Sequence, residues 1–287
     1  GVLMMIALLL KIGGFALLFI LLFSLFQFFL SIFPPKFVDK TTPEEYGLSY
    51  ESVSFQTEDG MEIKAWLLTA PDANGTVIVG HGYPFNKGNI FPVAKFLYPD
   101  YNLLFYDHRS FGESAGKMTT IGLKEKYDVL AAVQFVQQRF GKKEPIALYG
   151  FSLSAAAMLM SNASVNAIIA DSSYADLERM EKHIYRIFGP LRFAFVQTTN
   201  LLSILFLGVH PASVSPAQAI KESTIPVLVI HGEEDSQIPV ENAYALQESN
   251  PKIELWVVSG ADHGQAYALE KKEYQQKVRG FLKKYMK

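Results

Sequence analysis

The hydrophobic positions of this chain fall into two zones with different patterns. Residues 1–33 are almost continuously apolar, with Lys11 as their one charged side chain, whereas the later zone mixes short apolar runs with polar segments. That later zone begins with two segments of strand-like alternation, 51–56 and 62–69, which are joined by the turn sequence Glu-Asp-Gly. The pattern predicts a pair of antiparallel strands there.

Six further apolar runs, each bounded by turn residues, have the length of strands that are buried on both faces. Such runs are typical of a parallel sheet. Helical patterns lie between them, and this alternation predicts an α/β fold with a doubly wound, mostly parallel sheet and helices on both faces. The six predicted strands are 76–80, 102–106, 145–149, 167–170, 226–230 and 253–258, and the main predicted helices are 123–140, 154–160, 240–248 and 265–283.

One long segment interrupts the alternation of strands and helices. More than fifty residues without a strand pattern separate Asp171 from Pro226. An insertion at this point follows the carboxyl end of a strand, which is the edge of an α/β sheet where ligands bind. The sequence therefore predicts a helical cap at about 174–220.

Apolar residues recur at helical spacing within this predicted cap, over 187–209. Three of them, Phe188, Phe195 and Phe206, are candidates to line a site for an acyl chain. The alternative is that these side chains only pack the cap onto the rest of the protein, and the spacing alone does not separate the two.

The N-terminal zone has the length and composition of a membrane anchor. Residues 12–33 form an uncharged stretch of 22 residues, about the length needed to cross roughly 30 Å of hydrocarbon at about 1.5 Å per residue. We therefore predict an anchor helix over 1–35, a linker over 36–49 and a folded domain over 50–287. A cleaved signal peptide is the alternative, although the apolar stretch is longer than usual and no small-x-small cleavage site follows.

Charge and composition narrow the possible partners. Lys11 lies before the apolar stretch and Lys36 and Lys40 lie after it, so the side of the membrane on which the domain lies is not predicted. The net charge of −2 gives no reason to expect a nucleic-acid partner. The chain has no cysteine, and its six histidines show no metal-binding spacing, so neither a metal site nor a cofactor is predicted.

The most specific chemical signal is the segment from Gly150 to Ser154, Gly-Phe-Ser-Leu-Ser, between a predicted strand and a predicted helix. This is the G-x-S-x-small pattern of a nucleophile elbow, in which a sharp turn exposes the central serine, here Ser152. Ser154 replaces the usual second glycine but is still small. The alternative is that Ser152 is an ordinary helix N-cap.

An aspartate and a histidine complete the pattern in the chain order Ser, Asp, His. Asp235 follows the predicted strand 226–230, and His263 follows the predicted strand 253–258. A serine hydroxyl becomes nucleophilic when an imidazole accepts its proton, and a carboxylate holds that imidazole in the correct tautomer. We therefore predict Ser152 as nucleophile, His263 as general base and Asp235 as the orienting acid.

Two backbone N–H groups are candidates for an oxyanion hole. The sequence His81-Gly82-Tyr83 follows the predicted strand 76–80, so the N–H of Tyr83 can act together with the N–H of Leu153. His81 itself is better explained as a hydrogen-bonded structural residue than as a catalytic base.

The segment 106–114, Tyr-Asp-His-Arg-Ser-Phe-Gly-Glu-Ser, resembles the D-x-R-x-x-G-x-S loop of the membrane-tethered, esterase- and thioesterase-like branch of the α/β-hydrolase superfamily. Thr119-Thr120 and the Asp-Ser-Ser-Tyr sequence at 171–174 fit the same branch, and the resemblance runs from about residue 50 to 284. It implies eight strands, a cap and hydrolysis of acyl esters or thioesters. The branch is also described as serine aminopeptidase-like, so peptide hydrolysis stays open.

The sequence as a whole predicts a membrane-anchored serine hydrolase that cleaves carboxylic esters or thioesters through an acyl-enzyme. Because an anchor would hold the site near a bilayer and the cap is apolar, small-molecule acyl-chain or lipid esters rank first as substrates and acylated proteins second. Two alternatives remain, namely a serine peptidase-like hydrolase and an inactive hydrolase fold that serves as a membrane-tethered binding module.

Overall fold

The structure, a computed structural model, describes residues 1–37 and 39–286. Val38, which falls in the predicted linker, and the C-terminal Lys287 lie outside the described residues. Eight strands form one sheet in the order β1-β2-β4-β3-β5-β6-β7-β8. The strands are β1 Glu51–Gln56, β2 Glu62–Leu68, β3 Thr76–Gly80, β4 Asn102–Tyr106, β5 Ile146–Phe151, β6 Ala167–Asp171, β7 Val227–Gly232 and β8 Glu254–Val258.

Strand direction confirms the predicted mostly parallel sheet. β2 pairs antiparallel with both β1 and β4, and every other neighbouring pair is parallel. The helices are α1 Val2–Ile32, α2 Lys87–Ala94, α3 Glu125–Phe140, α4 Leu153–Met160, α5 Leu177–Ile184, α6 Arg192–Leu207, α7 Pro216–Ile220, α8 Glu241–Ser249, α9 Ala266–Leu269 and α10 Lys271–Tyr285.

The core lies on both faces of the sheet because side chains alternate along each strand. In β4, Leu104 and Tyr106 join the apolar cluster that contains residues of α3, α4 and α8. Leu103 and Phe105 join the cluster on the opposite face, which contains residues of α2 and α10. Two-sided burial explains why these strands appear in the sequence as continuous apolar runs.

Two helical regions differ from the sequence-based expectation. The predicted helix 265–283 is divided into α9 and α10, with Glu270 between them. Helix α2 was not predicted, because Gly88 and Pro92 lower its intrinsic helix propensity. Its apolar residues, among them Phe91, are buried against the sheet and stabilise it.

Helix α1 is long and apolar enough to cross a membrane, by length and composition only. The segment Leu177–Leu207 passes the same test, but it is not one helix, since the backbone at Gly189 has φ 54° and ψ −129°. It consists of α5, a 3₁₀ segment at Tyr185–Leu191 and α6.

The segment between β6 and β7, called the cap below, packs against α1. Ile20, Phe28 and Ile32 of α1 are buried, and α1 lies along α6. The division into an anchor (1–35), a linker (36–49) and a hydrolase domain (50–287) with a cap at about 174–220 remains a prediction.

Candidate active site

Ser152 lies in the turn that joins β5 to α4. Its backbone has φ 53° and ψ −110°, a conformation that is strained for a residue with a side chain. A Cβ atom added to Gly150 would lie 2.6 Å from the backbone nitrogen of Ala155. Only glycine fits this close approach of strand and helix, as the elbow pattern requires.

Ser154, which replaces the second glycine of the elbow pattern, is fully buried. Its hydroxyl donates to the backbone oxygen of His81, and its oxygen lies 2.7 Å from Nε2 of His108. Space for this hydroxyl exists because the facing residue is Gly80, where a Cβ would collide with Ser154 Oγ. The serine therefore connects the elbow to the loops after β3 and β4.

Ser152, His263 and Asp235 lie in one hydrogen-bonded line. Nε2 of His263 lies 3.2 Å from Oγ of Ser152, and Nδ1 of His263 lies 2.7 Å from Oδ2 of Asp235. The other carboxylate oxygen, Asp235 Oδ1, accepts hydrogen bonds from the backbone N–H groups of Gln237 at 3.0 Å and Ile238 at 2.7 Å. The carboxylate is thus fixed with Oδ2 toward the imidazole.

Two residues beside this line were not identified from the sequence. Asp262 Oδ1 accepts from the backbone N–H groups of His263 and Ser236, at 2.7 and 2.8 Å, and so joins the loops after β7 and β8. His231, which is buried in β7, has its Nε2 2.7 Å from the oxygen of Ile238 and 3.5 Å from Asp235 Oδ2. A His-Gly pair at a strand end is too common a signal to have revealed this role.

The two candidate oxyanion donors line the same cavity as Ser152 and His263. Leu153 is the first residue of α4, so its N–H has no partner inside the helix. Within residues 1–37 and 39–286, the N–H of Tyr83 donates to no protein acceptor. Both N–H groups can therefore donate to a substrate oxygen.

His81 holds the loop that carries Tyr83. Its Nδ1 lies 2.9 Å from the oxygen of Gly82, and its Nε2 accepts from the backbone N–H of His108 at 3.1 Å. Burial lowers the pKa of His81 to about 4, so the ring is neutral at pH 7. These contacts support a structural role.

The Asp107-His108-Arg109 segment forms ion pairs that do not involve Ser152 and that are buried at Asp107 and Asp128 but exposed at Asp59. The Arg109 guanidinium contacts Asp59 at 2.6 and 2.8 Å and Asp128 at 2.8 Å, and its hydrogen bonds hold the pKa of Asp59 at about 2. Asp107 accepts from Nζ of the buried Lys87 at 2.6 Å. None of the three segment residues lines the cavity at Ser152, in agreement with the structural role expected for them.

The cavity at Ser152 has a volume of about 400 Å³ and lies between the sheet edge and the cap. Most of the exposed area of its wall is apolar, and its polar groups lie near Ser152, on the loop after β7 and on the cap, where His183 and Arg186 line it. The apolar wall residues are Ile121, Leu153, Leu177, Met180, Ile184 and Ile238.

The structure does not bring the three cap phenylalanines to this cavity. Phe195 stacks on Phe188 with ring centres 4.1 Å apart, and both contact Phe23 of α1. Phe206 contacts Phe29 of α1 with ring centres 5.0 Å apart. Helical spacing reveals an apolar face but not its neighbour, and here that neighbour is α1 rather than the cavity at Ser152.

Residues 112–287 match the model of the prolyl oligopeptidase family. The chain belongs to this family. Its eight-stranded sheet and its similarity to solved esterases confirm the α/β-hydrolase fold, and the chain is a serine hydrolase. The serine, the histidine and the aspartate that the sequence pattern selected all lie within the matched part of the chain.

Three similar proteins cover between 47% and 90% of the chain. The esterase Pf2001 of Pyrococcus furiosus superposes with a TM-score of 0.75 and 29% identity, covering 90% of this chain and 99% of that one. The protein YqkD of Bacillus subtilis is 30% identical over 234 residues, which is 78% of this chain and 76% of YqkD. A Saccharomyces cerevisiae protein described as a membrane protein, YNL320W, is 26% identical over 138 residues, 47% of this chain and 45% of its own length.

Proposed function

We propose that this protein is a membrane-anchored esterase or thioesterase that acts on acyl chains through Ser152, His263 and Asp235. The observation that carries the proposal is the hydrogen-bonded line of these three side chains beside two available N–H groups in one mainly apolar cavity. Such a line is what activates a serine hydroxyl for acyl transfer.

In the first half of the reaction, His263 Nε2 takes the proton of Ser152 Oγ while that oxygen attacks the acyl carbon. The N–H groups of Tyr83 and Leu153 donate to the oxygen that becomes negative, a contribution worth about 2.7–4 kcal/mol per donor. The imidazolium, stabilised by Asp235, then gives its proton to the leaving alcohol or thiol. An acyl ester of Ser152 remains.

In the second half, His263 Nε2 takes a proton from a water molecule that attacks the acyl-enzyme. The same two N–H groups stabilise the second tetrahedral intermediate. The proton returns to Ser152 as the ester bond breaks, and a carboxylic acid leaves. Each proton transfer uses the atom of His263 that faces Ser152 at 3.2 Å.

The cavity wall supports an acyl chain as the substrate group. Its apolar residues can bury methylene groups, each contributing about 0.8 kcal/mol. The similarity to a solved esterase supports an ester, whereas the family description names a peptidase. Peptide hydrolysis is therefore the second candidate function.

Helix α1 supports a location at the membrane. Its outward residues are exposed and apolar, and an aqueous environment would not favour such a surface. The C-terminal end of α1 contacts the rest of the protein. Tyr83 Oη donates to the oxygen of Leu30 at 3.2 Å, and the backbone N–H of Thr119 donates to the oxygen of Ile32 at 2.9 Å. A similar yeast protein is described as a membrane protein.

The experiment that tests this proposal measures turnover of p-nitrophenyl esters of increasing acyl length and of the matching p-nitroanilides, with the full chain in detergent. We expect ester hydrolysis that rises with acyl length, and little amide hydrolysis. Ser152→Ala should abolish turnover and fluorophosphonate labelling without changing the melting temperature, while the matched control Ser259→Ala, at an exposed serine, should leave both intact.

Each contrary result points to one alternative. Preferred cleavage of anilides would favour the peptidase. A wild-type protein that neither turns over esters nor reacts with the fluorophosphonate would favour the inactive binding module.

A further inference from the structure

A second, smaller chamber lies between α1 and the cap, next to the catalytic cavity. Its volume is about 80 Å³, several times what one water molecule requires. The two cavities share four wall residues and are therefore direct neighbours. The shared residues are Ser31, Ile121, Leu177 and Ile184.

Most of the chamber wall is apolar, and the two serine hydroxyl groups in it already donate to protein acceptors. Ser31 Oγ donates to the oxygen of Gln27 at 2.9 Å, and Ser203 Oγ donates to the oxygen of Val209 at 2.6 Å. Glu181 is different, because it is buried and its Oε2 has no hydrogen-bond partner within the described residues.

The position of Glu181 on its helix makes this carboxyl unusual. α5 turns one face to the two cavities, and the other cavity-lining residues on that face are apolar or a histidine. On the same helix, Glu178 forms an ion pair with Lys182 at 2.8 Å with both side chains partly exposed. A buried carboxyl oxygen without a partner, such as Oε2 of Glu181, is unfavourable for folding, so a ligand that pairs with it would explain its presence.

Burial raises the pKa of Glu181 to about 8, so the group is mainly protonated at pH 7. A neutral carboxyl group can both donate and accept one hydrogen bond. It matches an uncharged polar group such as a hydroxyl better than an ammonium group.

We propose that the chamber is a second subsite for the substrate's acyl chain, in which Glu181 hydrogen-bonds a hydroxyl group carried by that chain. The proposal rests on the proposed esterase function and adds a substrate class to it, namely hydroxylated acyl esters.

The test compares p-nitrophenyl octanoates that carry one hydroxyl group at carbon 3, 6, 7 or 8 with the unsubstituted octanoate, because 4- and 5-hydroxy esters release p-nitrophenol by lactonisation without an enzyme. The full chain is used at pH 7. We expect kcat/KM at one hydroxyl position to exceed that of octanoate by about five- to tenfold, the range of one net hydrogen bond. Glu181→Gln should keep this preference, and Glu181→Leu should abolish it while improving turnover of octanoate.

The matched control is Glu178→Leu, the same substitution on the same helix at a side chain that is partly exposed and paired with Lys182. It should keep the positional preference. The rate of fluorophosphonate labelling of Ser152 shows whether each variant retains its active site.

Three results would overturn the proposal. They are equal turnover at every hydroxyl position, a preference that survives in Glu181→Leu, and faster cleavage of aminooctanoates than of hydroxyoctanoates.

Equal cleavage of all esters would leave the esterase function intact, whereas absent cleavage and labelling would refute that function. In that case, binding of the hydroxylated methyl octanoates to the Ser152→Ala protein, with and without Glu181→Leu, still decides whether the chamber selects a hydroxyl.

Discussion

Replacing Asp235 with asparagine tests the proposed catalytic line at the atom that orients the imidazole. Oδ1 of Asp235 accepts two backbone N–H groups, from Gln237 and Ile238. An asparagine must keep its oxygen at that position, because its NH₂ group cannot accept those hydrogen bonds. The NH₂ group is then forced to the place of Oδ2, 2.7 Å from His263 Nδ1.

This orientation reverses the tautomer of the histidine. With a donor facing it, Nδ1 of His263 must accept, so the proton of the neutral ring moves to Nε2. A protonated Nε2 cannot take the proton of Ser152. A wrong tautomer in this kind of triad lowers kcat by about 10⁴-fold, which corresponds to roughly 5.5 kcal/mol of transition-state stabilisation.

The assay is kcat and KM for p-nitrophenyl butyrate at pH 7, with the melting temperature measured in parallel. We expect kcat to fall by about 10⁴-fold with KM nearly unchanged, because Asp235 does not contact substrate. Asp262→Asn is the matched control, since the asparagine oxygen can still accept from the backbone N–H groups of Ser236 and His263, and its effect should be small. A loss below tenfold in Asp235→Asn, or equal losses in the two variants, would refute the assignment of Asp235.

Three other predictions follow from the structure. Deletion of residues 1–35 should leave hydrolysis of acetate esters within about tenfold of the full chain, because the hydrogen bonds that join Ser152, His263 and Asp235 do not involve α1. It should remove the preference for long chains, because α1 forms part of the cavity walls; loss of acetate turnover would show that α1 is needed to build the site. The pKa of His81 is about 4 in the folded protein and has the ordinary value of 6.5 in the unfolded chain. As the pH is lowered from 6.5 to 4, the unfolded state therefore takes up a proton that the folded state does not, and the free energy of unfolding decreases by about 3 kcal/mol. His81→Gln should flatten that part of the stability curve in urea unfolding at pH 7 and pH 4.5, and an unchanged slope would contradict it. Met180→Asp should reduce decanoate turnover at least about tenfold more than acetate turnover, whereas Phe195→Asp should mainly lower the melting temperature. The opposite pattern would show that Phe195, and not Met180, contacts the acyl chain of the substrate.

The sheet and the positions of the catalytic candidates could be predicted from the sequence because each depends on local signals. β3 and β4 have the predicted bounds, since buried strands give continuous apolar runs ended by turn residues. The elbow at Ser152 was identifiable because its backbone geometry restricts which residues can flank it. Asp235 and His263 were identifiable because the fold fixes their chain order.

What could not be predicted depends on contacts between distant segments. The apolar face that contains Phe195 has the same pattern whether it covers a substrate or another helix, and only the fold shows that it covers α1. The burial of Glu181 on a cavity wall also escapes sequence reasoning, because glutamate is common on amphipathic helices. The hydrogen bond from Ser154 to His81 needs the absence of a side chain at Gly80, a relation between positions more than seventy residues apart.

The last turn of α1 carries Ser31, which lines the cavity at Ser152. A helix that crosses a bilayer fixes its end near the membrane surface, so the cavity would be held at that level. Substrates dissolved in the bilayer would then reach Ser152 by lateral diffusion, in two dimensions, without entering bulk water. The reaction rate would follow the mole fraction of substrate in the membrane, and dilution of intact vesicles would leave it unchanged.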